Sequence, residues 1–259
     1  MIYFLSDAHI GSRALADRVA HEKQVCDLLV KLSHDATAIY LLGDWFDFWY
    51  EYVWGKPEEY ALTLSTLRSL TDKGIEVHYF TGNHDIWTFG WLEKQTGVKI
   101  HCGPEDLTIC GKRCMLAHGD GLIPSDMLAR YPKSVRRKIR RFMLLRSIFH
   151  NSLLQRLFAL VPPAWGNAFG YEWARRSRMK ELAELVAYKG ENDEELVLYA
   201  KEQEKSSHHD YYIFGHRHIE LDLELATGAR VIIIGDMFRQ WTYAQMNDQG
   251  QITMMNHEY

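Results

Sequence analysis

Cysteine is scarce in this chain. There are four in 259 residues, Cys26, Cys102, Cys110 and Cys114, and no Cys-x-x-Cys pair among them. That spacing excludes a disulfide framework and a thiolate metal site, and it fits a reduced, cytoplasmic setting. Cys110 and Cys114 flank a glycine turn and read as buried thiols in neighbouring strands. Long apolar runs are missing too. The richest stretch, Phe142 to Trp165, is broken by Arg146, Arg156 and Pro162-Pro163, and so falls short of a membrane span. The first residues, Met1 to Asp7, have no basic segment and turn polar too early for a signal peptide. An excess of one charge is also absent: 30 Lys and Arg stand against 34 Asp and Glu, a net −4, so nothing global points to a nucleic-acid or membrane partner. Hydrophobic residues at 47% and charged residues at 25% exclude disorder and fibrous repeats. The abundant features are aromatics, at 13%, and histidine, with 13 residues. That histidine count asks for a metal or an acid–base explanation.

The first half alternates strand and helix. Ile2 to Ser6, Ala38 to Leu42 and Ile75 to Phe80 read as buried strands, with helical periodicity over residues 14–33 and 57–73 between them. That order implies a parallel sheet with helices on its faces. After Gly97 come short strands ending in Lys112 to Ala117. Further strands resume at Tyr211 to Phe214, 219–225, 230–234, 241–246 and 251–255. The sum is a layered α/β sandwich with mixed sheets. Residues 125–205 have helical period and almost no strand signal, so they read as a helical insertion between a first core segment, 1–124, and a second, 206–259.

Polar motifs fall where the strands end. Asp7-Ala8-His9 follows the first strand, Gly43-Asp44-Trp45-Phe46-Asp47 the second and Gly82-Asn83-His84-Asp85 the third. His118-Gly119-Asp120 and Gly215-His216-Arg217-His218 follow two later strands. Open α/β sheets place ligands at this edge, where residues distant in sequence converge. Each motif alone has a bland explanation: Asp44, Asp47 or Asp85 as helix caps, Asn83 as a turn residue, a strand-end histidine as a surface group. All five in order, each after a strand, outweigh those explanations. Carboxylate, imidazole and amide donors without thiolate suit Mn, Fe or Zn, and a carboxylate bridging two divalent ions leaves positions open for water and phosphate oxygens.

On these motifs the chain resembles the calcineurin-like dinuclear metallophosphoesterases, over everything except the insertion. The resemblance implies a four-layer α/β/β/α sandwich holding two divalent cations, with Mn2+ expected and Fe or Zn suitable. One ion would be held by Asp7, His9, Asp44 and His218, the other by Asp44, Asn83, His118 and His216, with Asp44 as the bridge. His84 would stand unligated beside the phosphate, oriented by Asp85, and Asp47 would position a ligand or water.

The substrate has to come from the insertion. Residues 131–180 carry 12 Lys and Arg against the single acid Glu172, a net +11, which leaves the rest of the chain at −15. The cations alternate with Phe142, Leu144, Leu145, Ile148, Leu153, Leu157 and other apolar residues. An amphipathic basic stretch of this kind suits an anionic membrane surface. The lesser alternative is that it packs on the core with its arginines solvated, and its aliphatic content argues against nucleic acid.

Within the wider family, Gly43 to Trp49, His118-Gly119-Asp120 and a basic helical insertion resemble the UDP-2,3-diacylglucosamine hydrolases, the pyrophosphatases of lipid A biosynthesis. That resemblance implies a peripheral enzyme on the inner face of an inner membrane, hydrolysing a phosphorylated nucleotide-sugar lipid to UMP and 2,3-diacylglucosamine 1-phosphate. It implies substrate contacts at Asn83, Trp49, Asp126, Arg176 and Ser177. The best-known members carry Arg where this chain has His84 and Glu where it has Asp47. The alternative is a soluble substrate, cleaved by a nucleotide or dinucleotide pyrophosphatase or a general phosphodiesterase.

Overall fold

The computed structural model of the protein describes residues 1–55, 58–183 and 187–257. The first half runs β1 (Ile2–Leu5), α1 (Arg18–Leu32), β2 (Ala38–Leu42), α2 (Ala61–Asp72), β3 (Glu76–Phe80), α3 (Trp91–Thr96) and β4 (Lys99–His101). Next come β5 (Glu105–Ile109) and β6 (Lys112–Ala117), then α4 (Ser125–Arg130), α5 (Lys133–Phe149), α6 (Ser152–Phe158), α7 (Pro163–Ala183) and α8 (Glu195–Glu204). The chain closes with β7 (Tyr211–Phe214), β8 (Leu221–Glu224), β9 (Arg230–Ile233), β10 (Thr242–Met246) and β11 (Ile252–Asn256).

Two sheets lie face to face, ordered β11-β10-β1-β2-β3-β4 and β5-β6-β7-β9-β8. In the first, β1 to β4 are parallel and β10 and β11 antiparallel. In the second, β6, β7 and β9 are parallel while β5 and β8 run against them. Phe4, Tyr40, Leu42 and Phe80 from the first sheet meet Leu116, Ile213 and Ile232 from the second to form the inner core. On the outer face of the first sheet, Val25, Leu28, Leu29 and Leu32 of α1 pack against Leu5, Leu41 and Tyr79. Their i, i+3, i+4, i+7 spacing puts them on one stripe. On the outer face of the second sheet, Leu196, Val197 and Ala200 of α8 pack against Tyr212, Phe214 and Val231. Helix, sheet, sheet, helix is the expected four-layer sandwich.

The differences from the sequence expectation have local causes. The first helix starts at Arg18, not 14, because the Asp17 carboxylate caps it by accepting from the Ala20 amide at 2.9 Å. The next begins at Ala61 after a short 3-10 turn, and residue 57, where helical periodicity starts, lies outside the described residues. Within 125–205, α8 belongs to the sandwich as its outer layer, so the helices that stand outside the layers are α4 to α7. These pack on two core loops, joining Ala159, Tyr171 and Ala174 to Phe48, Tyr50, Tyr52, Ile86 and Trp87. All four cysteines are free; Cys114 is buried in β6, whereas Cys110 sits half-buried at the turn and Cys102 is exposed.

Candidate metal centre

The parallel strands β1, β2 and β3 of one sheet and β6, β7 and β9 of the other end at the same edge. The loops leaving them are sewn together by backbone hydrogen bonds, from the Asp7 amide to Gly43 O (3.1 Å), the His9 amide to Asp44 O (3.0 Å) and the Gly215 amide to His118 O (2.9 Å). Close approach explains two of the motif glycines. A Cβ on Gly82 would collide with Asp44 Oδ1, and one on Gly215 with Ser6 Oγ and Asp7 Oδ2. Asp7, His9, Asp44, His216 and His218 stand at positive φ, between 45° and 66°. Outside glycine, only Cys110 and Trp241 do so elsewhere among the described residues. A left-handed residue of this kind costs on the order of 1–2 kcal/mol, and such strain concentrates at functional sites.

Three overlapping buried groups have donor atoms close enough to hold a metal ion: Asp7, His9 and His218; His9, Asp44 and His84; Asp44, His118 and His216. Asp44 lies at the middle. Its Oδ2 is 3.4 Å from His118 Nε2, 3.8 Å from His9 Nε2 and 4.0 Å from His84 Nε2, while Oδ1 accepts from the His84 amide at 2.8 Å. Asp7 Oδ1 faces His218 Nε2 at 3.4 Å and His9 Nε2 at 3.6 Å. Asn83 Oδ1 is 3.3 Å from His118 Nε2. The candidate ligands therefore lie in one cluster, in which His9 links the first group to the second and Asp44 the second to the third.

The chemistry of the donors fits a cation. Asp7 Oδ2 accepts from Ser6 Oγ (2.6 Å) and the His216 amide (2.8 Å), but the buried Oδ1 accepts no hydrogen bond. His118 Nδ1 lies 2.8 Å from Leu42 O, which fixes a proton on that nitrogen and leaves Nε2 as a donor lone pair. Burial, with His118 beside it, pushes His216 down to about 3, so its imidazole is neutral and able to ligate. Burial raises the Asp7 carboxyl above its usual range even against His218 and His118. Burial alone would raise Asp44 as well, but the imidazoles of His118, His84 and His9 hold it well below the carboxylate range. Burial alone would lower His118, yet Asp44 and Asp7 lift it well above the usual imidazole range. Two buried carboxylates thus draw positive charge from the nearest histidine, the place a divalent cation would take.

The remaining expected residues divide. Asp47 Oδ1 sits 3.6 Å from His9 Nδ1, behind the ring, and the Asp47 carbonyl is 2.7 Å from His84 Nδ1. The partner of the His84 ring at Nδ1 is thus the Asp47 carbonyl, where Asp85 is the residue expected to orient it. The Asp85 carboxylate instead accepts from the Trp45 (2.8 Å) and Gly82 (2.6 Å) amides and from Tyr79 Oη (2.6 Å), tying the Gly43–Asp47 loop to the end of β3. Trp49 is another expected substrate contact. It is fully buried in the core beneath α1 and α2, its ring 4.6 Å from that of Phe46. Arg176 is exposed on α7 and paired with Glu172 at 2.7 Å. Asp126 and Ser177 lie in α4 and α7, but their side chains fall outside the described residues.

Asp236 and Trp173 escaped the sequence, and Asp120 was named there without a partner. Asp236 caps its own turn, its Oδ1 accepting from the Arg239 (2.6 Å) and Gln240 (3.0 Å) amides, and presents Oδ2 to His218 Nδ1 at 3.4 Å. A signal existed: Ile233-Ile234-Gly235-Asp236 repeats the apolar-apolar-Gly-Asp pattern of Leu41 to Asp44. Asp120 holds Arg146 of α5 at 2.6 Å, fastening the outer helices to the centre. Trp173 of α7 lies with its ring 5.3 Å from that of His84. It also walls an apolar cavity of about 310 Å3, lined by Phe48, Tyr50 and Trp87 of the core loops and by Phe149, Leu154, Phe158 and Phe169 of the outer helices.

No family model matches the chain. The UDP-2,3-diacylglucosamine hydrolase of Porphyromonas gingivalis is 37% identical to it over 256 residues, covering 94% of this chain and 92% of that protein. The UDP-2,3-diacylglucosamine hydrolase of Neisseria meningitidis is 27% identical over 241 residues, covering 90% and 88%. Among solved structures, the E. coli phosphoesterase Yfce aligns over 98% of this chain and 97% of its own, at 13% identity and a TM-score of 0.43.

Proposed function

The chain belongs to the family of UDP-2,3-diacylglucosamine hydrolases, and from that premise we propose that it hydrolyses the pyrophosphate of UDP-2,3-diacylglucosamine to UMP and 2,3-diacylglucosamine 1-phosphate. The observation that supports the lipid substrate best is the apolar cavity beside the cluster. Trp173 is both its wall and the neighbour of His84, so an acyl chain in the cavity would leave a phosphate within reach of the centre. Asp7, His9, Asp44 and His218 would hold one divalent ion and Asp44, Asn83, His118 and His216 the other, probed first with Mn2+. Such ions supply a hydroxide from bound water near neutral pH and neutralise charge on the phosphoryl oxygens.

The chain's own groups do the rest. His84, fixed through Nδ1 to the Asp47 carbonyl, presents Nε2 towards Asp44. When protonated there, it would donate to the departing sugar phosphate as water's oxygen goes to the uridylyl phosphorus. Asp47 holds His9 and His84 from behind. The helices α4 to α7 would act as the lid over the acyl chain, with Asp126, Arg176 and Ser177 among its polar contacts. No helix among the described residues is long and apolar enough to cross a membrane. A cytoplasmic protein held at the inner face of the inner membrane through the basic outer helices is the setting that goes with this substrate.

One assay decides. Purified protein with Mn2+ is offered UDP-2,3-diacylglucosamine, ADP-ribose, UDP-glucose and bis-p-nitrophenyl phosphate in parallel. The lipid is expected to be cleaved with a kcat/KM at least about 100-fold above the soluble compounds, and activity to vanish with chelator and return with Mn2+. Preference for a soluble diphosphate would replace the lipid substrate with a nucleotide one.

A further inference from the structure

Arg217 stands between the candidate ligands His216 and His218, on the turn that leaves β7. Its guanidinium forks onto Glu194, with Nε to Oε1 at 2.6 Å and Nη2 to Oε2 at 3.3 Å. Glu194 is fully buried and Arg217 half-buried. Glu194 is also the N-cap residue of α8, the helix that covers the second sheet. A buried pair of this kind is a poor device for stability, because desolvating both charges offsets most of their attraction. It is a good device for geometry, because a bidentate fork fixes distance and angle together. Geometry is what this turn needs. Its two histidines are both left-handed, at φ 66° and 49°, and both belong to the metal-holding groups. The turn is also held by the His216 amide on Asp7 Oδ2 (2.8 Å) and by Gln240 Nε2 on the His218 carbonyl (3.1 Å), and in His-Arg-His Arg217 is the side chain free of ligand duty, able to serve as a further anchor.

We propose that Glu194 and Arg217 form a positioning pair that holds the His216–His218 turn in metal-binding geometry, a role that rests on the dimetal centre proposed above. Neither residue touches substrate; their effect passes through the two histidines into metal affinity.

The test is calorimetric titration of the metal-stripped full chain with Mn2+. Wild type is compared with Arg217→Met, Arg217→Lys and Glu194→Gln, and unfolding temperature and the Mn2+ dependence of hydrolysis are measured beside it. Arg217→Met and Glu194→Gln are expected to need about 10-fold more Mn2+, or beyond, for half-occupancy, the usual cost of losing a group that orients ligands. Excess Mn2+ restores kcat, KM for the lipid stays unchanged, and Arg217→Lys, which keeps the charge and loses the fork, falls between. Should Arg217→Met fail to fold, the isosteric Glu194→Gln carries the comparison. Folded variants that bind Mn2+ like wild type overturn the positioning role, as does a KM that rises in step with the Mn2+ requirement. A wild type that takes up no Mn2+ overturns the dimetal centre itself and this role with it.

Discussion

Asp44 has the most crowded surroundings of any side chain in the cluster, with three imidazole nitrogens within 4.0 Å of one oxygen and the His84 amide on the other. Replacing it with alanine removes the shared ligand of both groups. Asp44→Ala is expected to lose activity by at least about 1,000-fold while its far-UV circular dichroism matches wild type. Near-normal turnover in chelator-treated Asp44→Ala would end the metal assignment. His84 is the sharper question, because its Nε2 is placed both to join a metal group and to face a phosphate. As a proton donor, His84→Gln lowers kcat by about 100-fold or more and leaves Mn2+ uptake within about twofold of wild type. As a ligand, it would lower Mn2+ stoichiometry. The sequence located these residues because strand-end motifs declare themselves. It did not show what Asp85 and Trp49 touch, because which way a side chain leaves a loop depends on partners the local sequence does not contain: two backbone amides and Tyr79 for Asp85, the Phe46 ring for Trp49.

At the scale of elements, α5 to α7 matter through the cavity they close over Phe48, Tyr50 and Trp87. Leu154 lines it from α6. Leu154→Glu places a charge where an acyl chain would lie, so KM for the lipid substrate is expected to rise roughly 10-fold or more. Hydrolysis of bis-p-nitrophenyl phosphate, which has no acyl chain, should stay at its wild-type rate; an equal fall in both would mean the helices shape the centre rather than the groove. Helix α8 is tied down differently. Glu204 accepts from the His209 amide (2.8 Å) and Tyr212 Oη (2.7 Å), and faces His208 Nδ1 at 2.8 Å. Burial alone would raise this carboxyl, but those donors hold it at about 2. A pKa depressed on folding contributes stability that is complete above the unfolded value, near 4.5, and fades as pH falls towards 2. Glu204→Gln should therefore cost about 1–3 kcal/mol in urea unfolding at pH 7 and progressively less between pH 4.5 and 2. A pH-independent cost would mean that shape rather than charge is what Glu204 supplies. Helical period alone grouped α8 with the insertion, because periodicity reports that a helix has an apolar side and not which sheet it covers.

Over the whole molecule, the charges are divided: +11 across residues 131–180 against −15 for the remainder. Exposed Phe142, Leu144, Leu145, Leu153, Leu157 and Trp165 lie in the basic part. Cations beside exposed apolar side chains are what an anionic bilayer surface would recruit. The chain is expected to sediment with phosphatidylglycerol vesicles at about 50 mM salt and to be released at about 500 mM, where screening shortens the reach of the field to a few ångströms. Binding confined to zwitterionic vesicles, or none at low salt, would leave the outer helices a role over the cavity only.

What the sequence determined by itself was the order of strands and helices, the strand ends that carry Asp7, Asp44, Asn83, His118 and His216, and the charge of the insertion. These are properties of short windows, set by periodicity and by turn chemistry. What only the tertiary structure decided was everything that depends on two distant segments meeting: Asp236 behind His218, Arg146 on Asp120, Trp173 against His84, and Glu194 forked onto Arg217. Each pair lies 18 residues or more apart along the chain and within about 5 Å across it in space, or ring to ring. No local pattern encodes such a distance; it exists only once the two sheets have closed on one another.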